Sequence, residues 1–254
     1  MTLRIERTNQ DQIVRISLTS GRGNPLTPAL VASLKALVEE LQQQPPGAII
    51  LDGGGGSIFS GGFSLPDIAH WSRPEIKSFF RDFMEIVYGL MSLPTPVVAG
   101  LGGHAIAGGF ILSLAADFRI IGDSALKFGL SEVDLGVAVP AGTLALLRAR
   151  VGASALSMAA TGRLINPQEA KHIGFADELA YAPEDRAMVL AEKLLRKPGD
   201  GVGVTCQFFR RPIIEAMRKE ETAGEERFLD TWFSPPAQQA LQQLAAKLSS
   251  KKKR

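Results

Sequence analysis

Two glycine-containing loops and one glutamate are the parts of this sequence that offer chemistry. The loops are "IFSGGFSL" (58–65) and "GGHAIAGGF" (102–110), and each follows a short apolar run that predicts a buried strand. The second loop leads into an apolar stretch that predicts a buried helix, whose first N–H groups favour an anion. Two N–H groups that converge on one oxygen form an oxyanion hole. Glu132 lies in the largely apolar segment "FGLSEVDLG", where a carboxylate can act as a general base.

Other kinds of site fit the sequence less well. "GLGGHA" (100–105) matches a dinucleotide-binding pattern, but it lies mid-chain and Asp123 falls past the end of the next predicted strand. The loop "GGGGSIFSGG" lacks the Gly-Lys-Ser/Thr ending of a phosphate loop, and no Gly-x-Ser-x-Gly elbow of a serine hydrolase occurs. His70, His104 and His172 have no metal-ligand spacing. A metal site is therefore not predicted.

The candidate loops are set in an alternation of strands and helices. Apolar runs predict strands at 3–8, 12–19, 48–53, 95–101, 118–123 and 125–129. Helical spacing and capping signals predict helices from Thr27-Pro28 to "PPG", over 74–93 and over 107–117. Segments 54–68 and 130–142 are predicted to be loops, and helices dominate after 142. This pattern is typical of an α/β core with a helical C-terminal region.

Composition limits the class of protein. The chain has 254 residues, 45% of them hydrophobic and 21% charged, which is ordinary for a soluble globular protein. A net charge of +2 gives no reason to expect nucleic acid or an anionic membrane as a partner. The single cysteine, Cys206, is expected to be a small packed side chain in a reducing compartment. With no signal-peptide pattern and no apolar run of about 18 residues, a cytoplasmic location is expected.

Four segments in order carry a resemblance to a known family. They are "FSGGFSLPDI", "GGHAIAGGFILSLAADFRI", "FGLSEVDLGVAVPAG" and "ATGRLINPQEAKHIGFADELA". Their order and spacing resemble the signature blocks of the crotonase, or enoyl-CoA hydratase/isomerase, superfamily. The resemblance implies an α/β fold, a spiral of β-β-α repeats over 1–195, with a helical C-terminal trimerisation region over 196–254. It also implies an acyl-CoA thioester as the partner, no separate cofactor, and a homotrimer or dimer of trimers.

The resemblance also assigns roles to individual residues. The backbone N–H groups of Phe63 and Gly108 match the two donors that bind the thioester oxygen in this family. Contacts to the substrate fall on the loop residues Arg22, Gly62, Ser64 and Leu65 and on Ile111. Here the usual Asp of the first block is Ser64, which leaves that loop without one of its expected carboxylates.

The acids distinguish the reactions of the family. Hydratases of the family use two glutamates, and the matching positions in this sequence are Ile111 and Glu132. With one glutamate, this sequence resembles the Δ3,Δ2-enoyl-CoA isomerases of the family. In those enzymes one base removes a proton at C2 and returns it at C4. Asp134 is expected to be a solvated or capping carboxylate. The alternative is that it faces the same side as Glu132 on an extended loop, where a second acid would favour hydration or hydrolysis. The alternatives are another crotonase reaction (hydration, thioester hydrolysis or decarboxylation) or a binding protein with little catalysis.

Overall fold

A computed structural model describes residues 2–252 of the chain. The described strands are β1 (Leu3–Thr8), β2 (Ile13–Leu18), β3 (Ala48–Asp52), β4 (Ile58–Ser60), β5 (Val97–Leu101), β6 (His104–Ile106), β7 (Phe118–Gly122), β8 (Phe128–Gly129) and β9 (Glu178–Ala180). The helices are α1 (Pro28–Gln43), α2 (Leu65–Ile68), α3 (Arg73–Ser92), α4 (Gly108–Leu114), α5 (Ala141–Val151), α6 (Ser154–Thr161), α7 (Pro167–His172), α8 (Pro183–Leu195), α9 (Gly201–Trp232) and α10 (Pro235–Lys252). A 3-10 turn covers Glu132–Leu135.

The strands form two sheets that confirm the predicted β-β-α repeat. The large sheet has the order β1-β2-β3-β5-β7-β9, antiparallel between β1 and β2 and parallel between its other neighbours. The small sheet, β4-β6-β8, is parallel throughout. Each of β3, β5 and β7 in the large sheet is followed along the chain by one strand of the small sheet. A helix or a helical turn then returns the chain, which is the spiral that the family resemblance implies.

Helix signals in the sequence correspond to observed caps and buried faces. The Thr27 hydroxyl accepts the Leu30 N–H at 3.2 Å, and Pro28 is the first helical residue of α1. The Ser72 N–H donates to the Glu75 carboxylate at 2.7 Å as part of a capping box at the start of α3. The predicted apolar stripe of α1 is buried: Leu30, Leu34, Leu37, Val38 and Leu41.

The C-terminal helices are fixed to the core by a buried ion pair. Arg210 on α9 is 1% exposed, pairs with Asp117, and donates to the Leu93 and Thr95 carbonyls at 2.8 Å each. Asp117 also accepts the Val97 N–H at 2.8 Å. Removing one partner of such a pair typically costs about 3–5 kcal/mol, so the position of α9 is strongly determined. Cys206, on the same helix, is buried as predicted.

Several predicted boundaries were wrong, and the errors have physical reasons. Strand 125–129 shrinks to Phe128–Gly129, whereas β4 and β6 form inside stretches predicted as loops. These three-residue strands are too short for an alternating pattern, and their pairing partners are distant in sequence. The segment predicted as a loop after 130 contains the 3-10 turn. Over residues 2–252, none of the helices is long and apolar enough to cross a membrane.

Candidate active site

The two glycine loops bring the predicted oxyanion donors side by side. A methyl group placed on Gly108 would lie 3.2 Å from the Phe63 ring, and one on Gly62 would lie 3.1 Å from the Gly108 nitrogen. The Phe63 and Gly108 N–H groups have no acceptor among the described residues. Buried backbone N–H groups are nearly always paired, so two adjacent free donors are available to a ligand oxygen.

The backbone around these donors is held in uncommon conformations. Gly62 has φ +90°, a region that L-residues other than glycine adopt at a cost of about 1–2 kcal/mol. Ala107 has φ 52° and ψ −126° without being glycine, and its N–H donates to the Gly129 carbonyl at 2.9 Å. Such strain costs on the order of 1–3 kcal/mol and clusters at functional sites. The fold therefore fixes the peptide that presents the Gly108 N–H.

Glu132 is positioned by the 3-10 turn and by α9. Within this segment, the Val137 N–H donates to the Glu132 carbonyl at 3.1 Å. The Ala138 N–H donates to the Thr231 hydroxyl on α9 at 3.0 Å, and this fixes the chain that leaves the turn. The backbone around Glu132 is therefore held by one hydrogen bond within its own turn and by another to α9.

The Glu132 carboxyl group lies in an environment that favours its neutral form. Its Oε2 atom is buried and has no hydrogen-bond partner among the described residues. Loss of hydration raises the pKa of Glu132 to about 7, although the N–H groups of Glu132 and Ser131 partly oppose the shift. A carboxyl group with a pKa near neutrality can both accept and return a proton.

One cavity joins these groups. It has a volume of about 120 Å³, and its lining includes Gly61, Phe63, Leu65, Ala107 and Glu132. Gly62 and Gly108 are not in the lining, but each is the sequence neighbour of a lining residue. Glu132 is the sole ionisable residue among the described lining residues. The arrangement supports removal of a proton from a carbon next to a carbonyl, with the oxygen held by backbone donors.

The other predicted site residues lie in different environments. Ser64 is buried, and its N–H donates to the Leu26 carbonyl at 3.2 Å. Arg22 is exposed and outside the cavity lining, and it forms no ion pair with any residue of the 2–252 range. Ile111 is 1% exposed on α4 and packs in the hydrophobic core, so the structure places it away from the cavity surface.

Asp134 is a solvent-exposed carboxylate, as expected, and does not line the cavity that Glu132 faces. The alternative of a shared face assumed an extended segment, where residues two apart share a face, but a 3-10 turn rotates each residue by about 120°. Asp134 lies against Gly162. It does not supply a second acid at the site.

Sequence reasoning missed the side of the cavity that the C-terminal helices form. Phe228 and Trp232 on α9 contact Phe80 on α3, with ring centroids 4.6 and 5.4 Å from it. All three aromatic residues line the cavity, together with the α10 residues Leu241, Leu244 and Leu248. The four-residue spacing of Phe228 and Trp232 gives one helix face, but it does not say what that face covers.

The dinucleotide pattern at 100–105 has another explanation. It runs from β5 into β6, so it opens a strand and not a helix. A side chain at Gly103 would meet the backbone of Ser57 and Ile58, and one at Gly102 would meet the Glu184 carboxylate. These glycines permit close packing. No cluster of three potential metal ligands occurs in the part of the chain that the structure describes.

Comparisons with known proteins show the family to which the chain belongs. The sequence model of the enoyl-CoA hydratase/isomerase family matches residues 8–250. The peroxisomal enoyl-CoA delta isomerase 2 of Arabidopsis thaliana is 31% identical over 202 residues, covering 73% of this chain and 82% of that relative. A probable enoyl-CoA hydratase of Mycolicibacterium paratuberculosis is 30% identical over 208 residues, covering 80% of each chain.

A solved structure shares the fold over almost the full length. The human mitochondrial delta3-delta2-enoyl-CoA isomerase has a TM-score of 0.87 at 21% identity, covering 99% of this chain and 100% of that chain. At this identity the likeness concerns the fold alone. Together with the family match and the relatives above, it leads to one conclusion: the chain is an enzyme of the enoyl-CoA hydratase/isomerase family and has the crotonase fold.

Proposed function

We propose that the chain is a Δ3,Δ2-enoyl-CoA isomerase in which Glu132 is the sole acid and base. The observation that carries this proposal is the single carboxylate in the cavity, with Oε2 buried and unpartnered. Water addition in the two-glutamate arrangement requires a second carboxylate at the position of Ile111, which is apolar and buried. A double-bond shift requires one group that moves one proton.

The proposed mechanism uses the groups that the cavity joins. The thioester oxygen of a 3-enoyl-CoA accepts hydrogen bonds from the Phe63 and Gly108 N–H groups. The ionised Glu132 takes a proton from C2, and the negative charge spreads over the dienolate and onto that oxygen. Glu132 then returns the proton at C4, which gives the 2-enoyl-CoA. Each backbone donor contributes roughly 3 kcal/mol of transition-state stabilisation by analogy with other oxyanion holes.

The pH dependence of isomerisation tests this proposal directly. We expect 3-enoyl-CoA to be converted to the conjugated 2-enoyl-CoA, with kcat/KM rising through an apparent pKa of about 7. The rise follows because Glu132 must be ionised in the free enzyme to accept the C2 proton. The measurement is the ultraviolet absorbance of the conjugated thioester between about pH 5 and 9. A rate that is flat over this range would contradict Glu132 as the base, and faster hydration of 2-enoyl-CoA would favour a hydratase.

We also propose that the chain assembles as a trimer or a dimer of trimers. The family resemblance supports this, as do apolar side chains at the surface: Leu156, Phe208 and Phe209 are 77%, 68% and 74% exposed. A groove of about 530 Å³ between α5 and α6 is lined mainly by alanine, leucine and valine. Exposed apolar side chains and apolar grooves are common features of protein–protein interaction sites. Light scattering is expected to give three or six times the mass of the chain, and a monomer would contradict the proposal.

A further inference from the structure

The catalytic cavity is small, and its lining is apolar away from Glu132. Ser131, Glu132 and Trp232 carry polar side-chain atoms, and the other residues of its described lining are aliphatic residues, phenylalanine, proline and glycine. Its volume is about 120 Å³. A dry apolar cavity of about 150 Å³ holds one benzene molecule, which has six carbons. The volume therefore matches a short hydrocarbon chain.

The aromatic side of the cavity is built to resist expansion. Phe80 is 8% exposed, and it packs edge-to-face against Phe63, Phe228 and Trp232 at centroid distances of 5.0, 4.6 and 5.4 Å. Phe63 is itself edge-to-face with Phe83 at 4.9 Å. Closely packed aromatic rings of this kind have little room to change rotamer. The depth of the cavity is therefore limited on this side.

Another part of the lining is formed by one stripe of leucines on α10. Leu241 is 1% exposed, Leu244 is partly buried, and Leu248 is 41% exposed, so the stripe runs from the interior to the surface. Helix α10 packs against α2 and against the turn that carries Glu132. Leu244 lies between the buried and exposed ends of the stripe and lines the cavity. The Leu244 side chain therefore bounds the cavity but is only partly buried.

We propose that the site selects short-chain enoyl thioesters, with acyl groups of about six carbons, and that Leu244 sets this limit. The proposal rests on the proposed isomerase function, because it takes the acyl chain to extend from the donors at Phe63 and Gly108 into this cavity. A longer chain must displace either the packed aromatic rings or the leucine stripe. Both the reactive groups and the size limit are then supplied by a single chain.

The test compares 3-hexenoyl-CoA with 3-decenoyl-CoA. The wild-type protein is expected to have at least a tenfold higher kcat/KM for the six-carbon substrate, since one methylene group in an apolar pocket changes specificity by about 10–200-fold. The Leu244→Ala variant removes side-chain volume at the limit and should shift this ratio at least tenfold towards the ten-carbon substrate. Gln242→Ala, on the exposed face of the same helix, is the matched control and should keep the wild-type ratio.

The outcomes separate this inference from the proposed function. Isomerisation that is equally fast or faster with 3-decenoyl-CoA overturns the size limit and leaves the isomerase function intact. If neither substrate is isomerised, the function fails, and calorimetric binding of hexanoyl-CoA and decanoyl-CoA to the wild-type protein still decides the size limit. Tighter binding of hexanoyl-CoA supports it, and equal or tighter binding of decanoyl-CoA overturns it. These wild-type comparisons hold even if Leu244→Ala fails to fold.

Discussion

The Glu132→Gln variant is expected to lose about three orders of magnitude in isomerase kcat/KM at pH 8. Proton transfer by a positioned side chain contributes about 10²–10⁴-fold to a rate, and Glu132 is the sole ionisable group in the described lining of the cavity. Glutamine keeps the shape of the side chain but cannot accept the C2 proton. The measurement is the initial rate of 3-hexenoyl-CoA conversion. Asp134→Asn is the matched control, because it neutralises an exposed acid two residues away and should retain the wild-type rate.

The stability of the same variant shows whether its fold is intact. Burial raises the pKa of Glu132 to about 7 in the folded protein, above its ordinary value of 4.5. The folded state therefore binds this proton more tightly than the unfolded state, and the resulting stability is complete below about pH 4.5 and lost as the pH rises through about 7. A neutral glutamine avoids this loss, so Glu132→Gln should be more stable than the wild type by about 1–3 kcal/mol at pH 8.

Denaturant unfolding at two pH values measures this difference. The gain should nearly disappear at about pH 4.5, where the wild-type carboxyl group is almost fully protonated in the folded state and about half protonated in the unfolded state. A variant that is less stable than the wild type at pH 8 would indicate structural damage, and the loss of activity would then not report on chemistry. Wild-type isomerase activity in a stable, folded Glu132→Gln protein would exclude Glu132 as the base.

The Gly62→Ala variant is expected to lower isomerase kcat/KM by about 10²–10³-fold, the cost of losing one oxyanion donor. The added methyl group would lie 3.1 Å from the Gly108 nitrogen and 2.9 Å from the Ala107 Cβ. The second distance is too short for carbon atoms, so the peptide that presents the Gly108 N–H must move. Displacement of a donor weakens stabilisation of the charge that develops on the thioester oxygen. The loss should appear mainly in kcat, because this interaction strengthens in the transition state.

A second glycine variant distinguishes displacement of the Gly108 N–H from the general cost of placing alanine at a positive φ. Gly55 has φ +81°, close to the +90° of Gly62, but a methyl group there would meet no atom within 4 Å. Gly55→Ala therefore introduces a similar conformational cost, about 1–2 kcal/mol, outside the site. We expect it to lower the melting temperature and to leave kcat unchanged. If both variants lower kcat equally, general destabilisation explains the effect and the two-donor arrangement is not supported.

The sequence was sufficient to predict those structural features that depend on residues close together in the chain. The caps at Thr27 and Ser72 and the buried stripe of α1 follow from side chains within a few residues of one another. The strands β4 and β6 were predicted as loops because short parallel strands are stabilised by partners far away in the chain. The sequence left open whether Asp134 shares a face with Glu132 for a related reason, since a glycine-bounded segment of this length can be extended or coiled.

The sequence by itself determined the chemical groups of the site: two glycine loops with free N–H groups, one glutamate, and an apolar residue where a second glutamate would stand. These are properties of residue type and order, and they also carried the family resemblance. Tertiary structure alone decided the surroundings of Glu132, because burial depends on what packs over the turn. It also brought Trp232 and Leu244 to the cavity from more than a hundred residues beyond the donors. The hydration of the Glu132 carboxyl group and the volume of the cavity depend on contacts between segments that are distant in the chain. No local sequence pattern encodes such contacts.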